Sequence, residues 1–218
     1  MARIVFDLDG TLIDSAPDIH AMANRLLERE GRPIVTYAES RGFVGHGASV
    51  FVDRMIQARD LDPKDHPRLL AEFLALYETA VTLTRLYPGV PAALDVLASA
   101  GHALGICTNK PIKPTLAVLR HLELEPIFGA ILGGDSLTVH KPNPAPLRAT
   151  FDALPEGPEI YVGDSEVDAE TAERAGVPFL LFTEGYRKSP AEALYHMATF
   201  DDFDALPGLV AEVLGTGS

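Results

Sequence analysis

One cysteine, Cys107, stands in 218 residues. A single thiol excludes any disulfide within the chain and suits a reducing cytoplasm, the expected location. Its neighbours are apolar and β-preferring, so Cys107 reads as a core residue rather than a nucleophile. Cations are also scarce: 18 Lys and Arg stand against 31 Asp and Glu, a formal net charge of −13. Such a surface disfavours nucleic acid and anionic membrane as partners. It also repels small anions at long range, so a site that binds one must supply its own local positive charge. Long apolar runs are missing, which argues against a bilayer-spanning segment. Met1-Ala2-Arg3 leads straight into a strand pattern, without the stretch that a signal peptide needs. No internal repeat or low-complexity segment stands out. What is present is ordinary globular material, 47% hydrophobic, with length for one large domain or two small ones.

The chain is organised around its first strand and turn, Ile4-Val5-Phe6-Asp7-Leu8-Asp9-Gly10-Thr11-Leu12. Residues two apart in a strand point the same way, so Asp7 and Asp9 are expected on one face at the strand's C-terminal end. That is the end at which open α/β sheets bind ligands. Two carboxylates so close stay ionised together only with a cation between them, or one takes a proton.

After Leu12 the pattern turns helical for about seventy residues. Ser15 is placed to cap a helix with Asp18 three residues on, and Pro17 sits in the first turn. Ile19, Met22, Ala23, Leu26 and Leu27 follow helical spacing up to Gly31 and Pro33. A short helix over 36–41 comes next, then Gly45-His46-Gly47, then helices over 48–59 and 67–82. In the last of these Leu70, Phe73, Leu74, Tyr77 and Val81 make one apolar stripe. No convincing strand falls between Leu12 and Tyr87. From there strands and helices alternate: helix 90–100, strand 103–107, helix 115–122, strand 130–132, a helix opened by Lys141-Pro142 and running to 153, strand 159–162, helix 166–175, strand 179–182 and an amphipathic helix over 203–214. This alternation predicts an α/β fold with a parallel sheet flanked by helices. Right-handed crossovers bring Asp7, Asp9, Thr108, Asn109, Gly133-Gly134 and Asp164 to one edge, with Lys141 following the third strand.

Asp7-Leu8-Asp9-Gly10-Thr11, Thr108-Asn109, Lys141-Pro142 and Gly163-Asp164-Ser165-Glu166-Val167-Asp168 together resemble the four motifs of the haloacid dehalogenase superfamily of phosphohydrolases, in that family's order and on its elements. The resemblance covers nearly the whole chain. It implies a Rossmann-like core from residues 1–14 and 85–218, and an inserted all-α cap over 15–84. It further implies that Asp7 is the nucleophile, forming an aspartyl-phosphate, and that Asp9 is the general acid and base. The Thr108 hydroxyl and the Asn109 backbone N–H would bind phosphoryl oxygens, and Lys141 would neutralise their charge. Mg²⁺ is the implied cofactor, held by Asp7, the backbone carbonyl of Asp9, and Asp164. Thr11 would buttress the turn. Asp168, four residues after Asp164 on what reads as one helix face, would support the site from behind. Taken singly each motif has a plainer reading: Thr108-Asn109 as a strand-to-helix junction, Lys141 and Asp168 as surface charges, Gly163-Asp164 as a helix-capping turn.

Having both Asp7 and Asp9 argues for phosphate-ester cleavage, because a leaving alkoxide benefits from a proton where a halide does not. The mutase branch shares these motifs, and a catalytically silent binding protein would be expected to have lost one of the acids. Further strings, Asp14-Ser15-Ala16-Pro17-Asp18, Tyr87-Pro88-Gly89-Val90, Thr108-Asn109-Lys110-Pro111, Lys141 to Leu147 and Glu184-Gly185-Tyr186-Arg187, resemble bacterial phosphoglycolate phosphatases. The resemblance implies hydrolysis of a small phosphate monoester by a monomer or homodimer, with other sugar phosphates and nucleotides as alternative substrates. A two-carbon substrate bearing a carboxylate would need a second cation. Arg41 and Arg54 are the candidates from the cap and Lys110 from the core, each equally readable as a solvated surface residue. His46 reads as a polar loop residue, and Arg187-Lys188 as a rim or a solvated loop.

Overall fold

The computed structural model of the protein describes residues 1–215. Six parallel strands form its sheet: β1 (Arg3–Phe6), β4 (Ala103–Cys107), β5 (Ala130–Leu132), β6 (Glu159–Gly163), β7 (Phe179–Phe182) and β8 (Ala198–Phe200), in the order β5-β4-β1-β6-β7-β8. Alternation along β1 sorts its side chains between the two faces. Ile4 and Phe6 join a cluster with α5 (Val90–Ser99), α6 (Ile112–His121) and α9 (Leu206–Gly215). Val5 joins the opposite cluster with α7 (Ala145–Asp152) and α8 (Glu166–Ala175). Cys107 lies in that second cluster, and burial pushes its thiol up to about 12, in keeping with a core role.

Between β1 and β4 the chain makes α1 (Ala16–Arg29), α2 (Tyr37–Phe43), α3 (Ala48–Ala58) and α4 (His66–Tyr77), which enclose an apolar cluster of their own. The expected stripe on α1 is buried throughout: Ile19, Met22, Ala23, Leu26 and Leu27. Thr36 caps α2 through a reciprocal box with Glu39. No helix among the described residues is long and apolar enough to cross a membrane.

Four expectations are corrected. Two strands do fall in the stretch read as strandless: β2 (Ile13–Asp14) and β3 (Arg85–Leu86), paired antiparallel. Two residues are too few for alternation to register. Ser15 precedes α1 without a side-chain capping bond, because Asp18 turns elsewhere. Its carboxylate accepts from Leu83 N (3.0 Å), Thr84 N (2.7 Å) and the Thr84 hydroxyl (2.7 Å), tying the start of the helical segment to its return. That tie also explains why α4 stops at Tyr77 instead of reaching 82. The stripe it buries is Leu69, Phe73 and Tyr77, while Val81 packs on the sheet-side cluster. Finally β8 is an extra edge strand of three residues that carries no alternation to read.

Candidate active site

The sheet order reverses at β1, with β4 on one side and β6 on the other, which is where crevices form in sheets of this kind. Register pairs Phe6 with Ile106 and with Val162. Asp7, Thr108 and Asp164 therefore leave the three central strands at nearly one level. The ladder runs one residue past β1, Asp7 N–H donating to Val162 O (2.9 Å). Asp7 thus keeps the face of Val5, which is the face of Tyr161, α7 and α8. Asp9 lies beyond the end of β1 and lines the same two cavities as Asp7, and the turn that follows takes Gly10 to φ +94°. A Cβ on Gly10 would lie 2.6 Å from Asp164 Oδ2, so this turn needs glycine both for its conformation and for the close approach of Asp164.

Lys141 is the hub on the Asp7 side. Its Nζ donates to Asp7 Oδ1 (2.8 Å), Asp168 Oδ1 (2.7 Å) and the Tyr161 hydroxyl (2.7 Å). Only 2% of the residue is exposed. Its backbone is held from the neighbouring loop: Lys141 N donates to Asn109 Oδ1 (3.0 Å) and Asn109 Nδ2 donates to Lys141 O (2.9 Å). The Lys141–Pro142 peptide bond is cis. Burial opposes the lysine's charge, but Asp168 and Asp7 outweigh it and hold the ammonium well above the ordinary lysine range. Burial pushes the Asp7 carboxyl up to about 6, against the pull of Lys141. Burial acts against Asp168 too, yet Lys141 and its hydrogen bonds keep it below the usual carboxylate range.

Asp164 is not on α8, as the helix-face reading had it, but ahead of that helix. Ser165 is the N-cap, and Asp168 is the capping-box acid, accepting from the Ser165 hydroxyl (2.6 Å) and from Ser165 N (3.1 Å). Asp168 therefore caps α8 and holds Lys141 at once. Asp164 accepts from the Thr11 hydroxyl (2.8 Å) and from Tyr186 N (2.6 Å). Thr11 thus supports the site through Asp164 rather than only through its own turn. Among the described residues no lysine or arginine pairs with Asp164. Burial, then the charges of Asp168 and Asp7, push its carboxyl well above the ordinary range. Asp7, Asp164 and Asp168 each offer a carboxylate oxygen within 4.8 Å of the others. A crowded, buried set of oxygen donors short of positive charge suits a hard divalent cation. Asp168 is already committed to Lys141, and the Asp9 carboxylate stands outside the group.

A second lysine serves Asp9. Lys110 Nζ donates to Asp9 Oδ1 (3.0 Å) and Oδ2 (3.3 Å) and to the Tyr77 hydroxyl (2.8 Å), and it lies 4.1 Å from the centre of the Tyr77 ring. Tyr77 in turn donates to Asp9 Oδ2 (3.3 Å). So the Asp9 carboxylate is paired rather than left free, and Lys110 is a buried residue rather than a surface one.

Two cavities meet at Asp7 and Asp9. One, of about 40 Å³, runs under α3 and α4 past Thr108, Asn109 and Lys110. The other, of about 280 Å³, is lined by Lys141, Asp164, Glu166, His46 and Lys188. The helical segment is shut over both. Asn109 Nδ2 donates to Gly45 O (3.2 Å), Lys188 Nζ to Gly42 O (2.6 Å), and Arg41 donates to Gly185 O while lying over the Tyr186 ring. Arg54 donates to Phe43 O (3.0 Å), bracing the loop instead of entering the site. Arg187 turns back to Thr183 O. Burial, then Arg54 and Lys188, push the His46 imidazole below its ordinary range.

Three tyrosines escaped the sequence reading. Tyr161 sits mid-strand, where a buried tyrosine hydroxyl usually finds a partner, and that was its one signal. Tyr77 was counted as apolar. Tyr186 appears in a quoted string, but only folding brings its hydroxyl to Asp14 Oδ1 (2.7 Å), Ser15 N (2.8 Å) and Ala16 N (3.0 Å), where the chain enters α1.

Residues 4–182 match the family of haloacid dehalogenase-like hydrolases. A protein named phosphoglycolate phosphatase from Cereibacter sphaeroides (strain ATCC 17029 / ATH 2.4.9) is 49% identical over 217 residues, covering 98% of this chain and 100% of that one. One of the same name from Rhodobacter capsulatus is 45% identical over 209 residues, 95% of each chain. The crystal structure of a predicted phosphoglycolate phosphatase from Haemophilus somnus 129pt superimposes with a TM-score of 0.90 at 30% identity, covering 96% of this chain and 98% of that one.

Proposed function

We propose, from the premise that this chain belongs to the haloacid dehalogenase-like hydrolase family, that it is a Mg²⁺-dependent phosphomonoesterase that hydrolyses 2-phosphoglycolate to glycolate and phosphate. The observation that carries this reading is the buried Lys141–Asp7 pair standing beside Asp164 and Asp9 at the end of β1. The full-length likeness to proteins named phosphoglycolate phosphatase supports the choice of substrate.

Asp7 attacks phosphorus, forming an aspartyl-phosphate as the bond to the leaving oxygen breaks. Lys141 holds Asp7 ready and offsets charge on the phosphoryl oxygens. The Thr108 hydroxyl and Asn109 N–H bind those oxygens. Asp9 gives its proton to the departing alkoxide, then takes one from the water that releases phosphate and regenerates Asp7. Asp7, Asp164 and the backbone carbonyl of Asp9 would hold Mg²⁺, which when bound supplies further neutralisation of phosphate charge. Residues 15–84 act as a cap that opens to admit substrate and closes over the core of 1–14 and 85–218. Closure excludes water and strengthens each charge contact inside.

The test is kcat/KM across 2-phosphoglycolate, hexose phosphates and nucleoside monophosphates with Mg²⁺. The expected result is a clear preference for 2-phosphoglycolate and loss of turnover with EDTA, restored by Mg²⁺. Equal or better turnover of the larger esters overturns the substrate, and conversion of a hexose 1-phosphate to its 6-phosphate would make the chain a mutase.

A further inference from the structure

Each aspartate of the opening turn is held by a lysine that also meets a tyrosine hydroxyl, but the two lysines keep different company. Lys141 meets Asp7, a tyrosine hydroxyl and a second carboxylate, Asp168, so each of its three N–H groups has a separate partner. Lys110 meets Asp9 and a tyrosine hydroxyl, but among the described residues no second carboxylate reaches it. Two of its contacts are the two oxygens of one carboxylate.

The cavity beside Lys110 says what could compete with Asp9 for that ammonium. Its walls include Ile19, Val44, Phe51 and Phe73, and Lys110 is the only cationic side chain lining it among the described residues. The other cations once considered are spent elsewhere, Arg41 on Gly185 O and Arg54 on Phe43 O. At the base of this cavity stand the Asp7 and Asp9 carboxylates, Thr108 and Asn109, where the phosphoryl group is expected, while the apolar walls and the Lys110 ammonium beside the Tyr77 hydroxyl favour a leaving group with a single anionic end and no hydroxyl groups to strand. Size narrows this further. At about 40 Å³ this cavity is far smaller than the neighbouring one of about 280 Å³. The smaller volume suits a carboxymethyl group rather than a sugar ring.

Resting on the reading of the site as a phosphomonoesterase for 2-phosphoglycolate, we infer that Lys110 and Tyr77 determine its specificity. The substrate carboxylate takes at Lys110 the place that Asp168 takes at Lys141, and the Tyr77 hydroxyl donates to the same carboxylate or orients the ammonium toward it. The core thus supplies the second cation, and the cap supplies the hydroxyl and the apolar walls. With its own carboxylate in the cleft, the substrate draws the two parts together, whereas an ester lacking it has no charged group to bridge them.

The test compares 2-phosphoglycolate with ethyl phosphate, which has nearly the same bulk and no carboxylate, in the full-length Mg²⁺-loaded enzyme. In wild type, kcat/KM is expected to favour 2-phosphoglycolate by at least about 100-fold, a floor set below the roughly 10⁴–10⁵-fold by which a site built to hydrogen-bond a group rejects a ligand lacking it. In Lys110→Met that ratio is expected to collapse below about tenfold, with most of the change in KM for 2-phosphoglycolate. Tyr77→Phe keeps the ring under the ammonium and is expected to reduce the ratio about three- to tenfold. It gives an independent reading should Lys110→Met fold poorly. Losses that are equal for both substrates in Lys110→Met, or in Tyr77→Phe where that variant alone can be assayed, leave the ratio standing. They would reduce Lys110 to a support for Asp9 and overturn the inference. If wild type itself shows no preference between the two esters, the 2-phosphoglycolate reading falls, and this inference with it.

Discussion

Lys141 and Lys110 are both buried, each bound to one aspartate of the opening turn and to one tyrosine, yet they are built differently. Lys141 is enclosed by the core: Tyr161 comes from β6, Asp168 from the first turn of α8, and Asn109 grips its backbone. Each of these groups lies on the sheet, on α8 or on the loop after β4, and none comes from α1 to α4. Lys110 reaches across the junction, with Asp9 from the core and Tyr77 from the end of α4. A catalytic charge gains from a site that cannot rearrange, because preorganised groups cost no reorganisation at the moment of reaction. A charge that reads the substrate gains from standing where two parts meet.

Substitutions should separate the two, beginning with the largest effect. Asp7→Asn, assayed after purification free of host phosphatases, should lower kcat by at least about 10⁴-fold, as removal of a covalent nucleophile does. Residual turnover near wild type would remove Asp7 from that role. Lys141→Met should cost about 10²–10³-fold in kcat and, in denaturant melts, about 3–5 kcal/mol of stability, because Asp7 and Asp168 are left as buried carboxylates without their cation. Lys110→Met should cost less stability, about 1–2 kcal/mol, because Asp9 lies on the cavities and retains the Tyr77 hydroxyl. Equal losses in the two variants would erase the contrast drawn here. Tyr186→Phe removes the hydroxyl that holds Asp14, Ser15 and Ala16 while its backbone N–H stays on Asp164. It should cost about 1–3 kcal/mol and speed proteolysis of the helical segment, with metal affinity little changed.

The smallest effect is one of pH. His46 is held below its ordinary range of about 6.5, first by burial and then by Arg54 and Lys188. Its folded state therefore binds fewer protons than the unfolded chain. The stability this contributes is complete above the unfolded pKa and is lost as pH falls below about 6.5 through the lower folded value. Thermal melts of wild type against His46→Gln should converge at pH 8 and show a modest extra loss for wild type at pH 5.5. Parallel curves would mean that the imidazole titrates alike in both states.

Much of the site was legible because its signals are local. Asp7 and Asp9 close an apolar run, and α8 and β7 fall where their patterns place them, whereas the Ser165–Asp168 cap of α8 was found only in the structure. What was not legible involves partners far apart in the chain. Asp18 matches a capping box by spacing, but Thr84, 66 residues on, takes its carboxylate. Tyr77 is apolar by period, and nothing near it reveals that its hydroxyl will meet Asp9 across 68 residues. The strands β2, β3 and β8 are too short for alternation to show, and exist because the neighbouring chain is already in place.

By itself, then, the sequence determined the class of fold, the order of its longer elements and the placing of Asp7, Thr108 and Asp164 at strand ends, since strand alternation, helix period and turn residues act over a few positions. Only the tertiary structure decided which lysine serves which aspartate. It also paired the Asp9 carboxylate with Lys110 and the Tyr77 hydroxyl, while Asp7 went to Lys141. Those outcomes depend on burial and on long-range packing, which bring a cation from one loop and a hydroxyl from a helix to the same carboxylate.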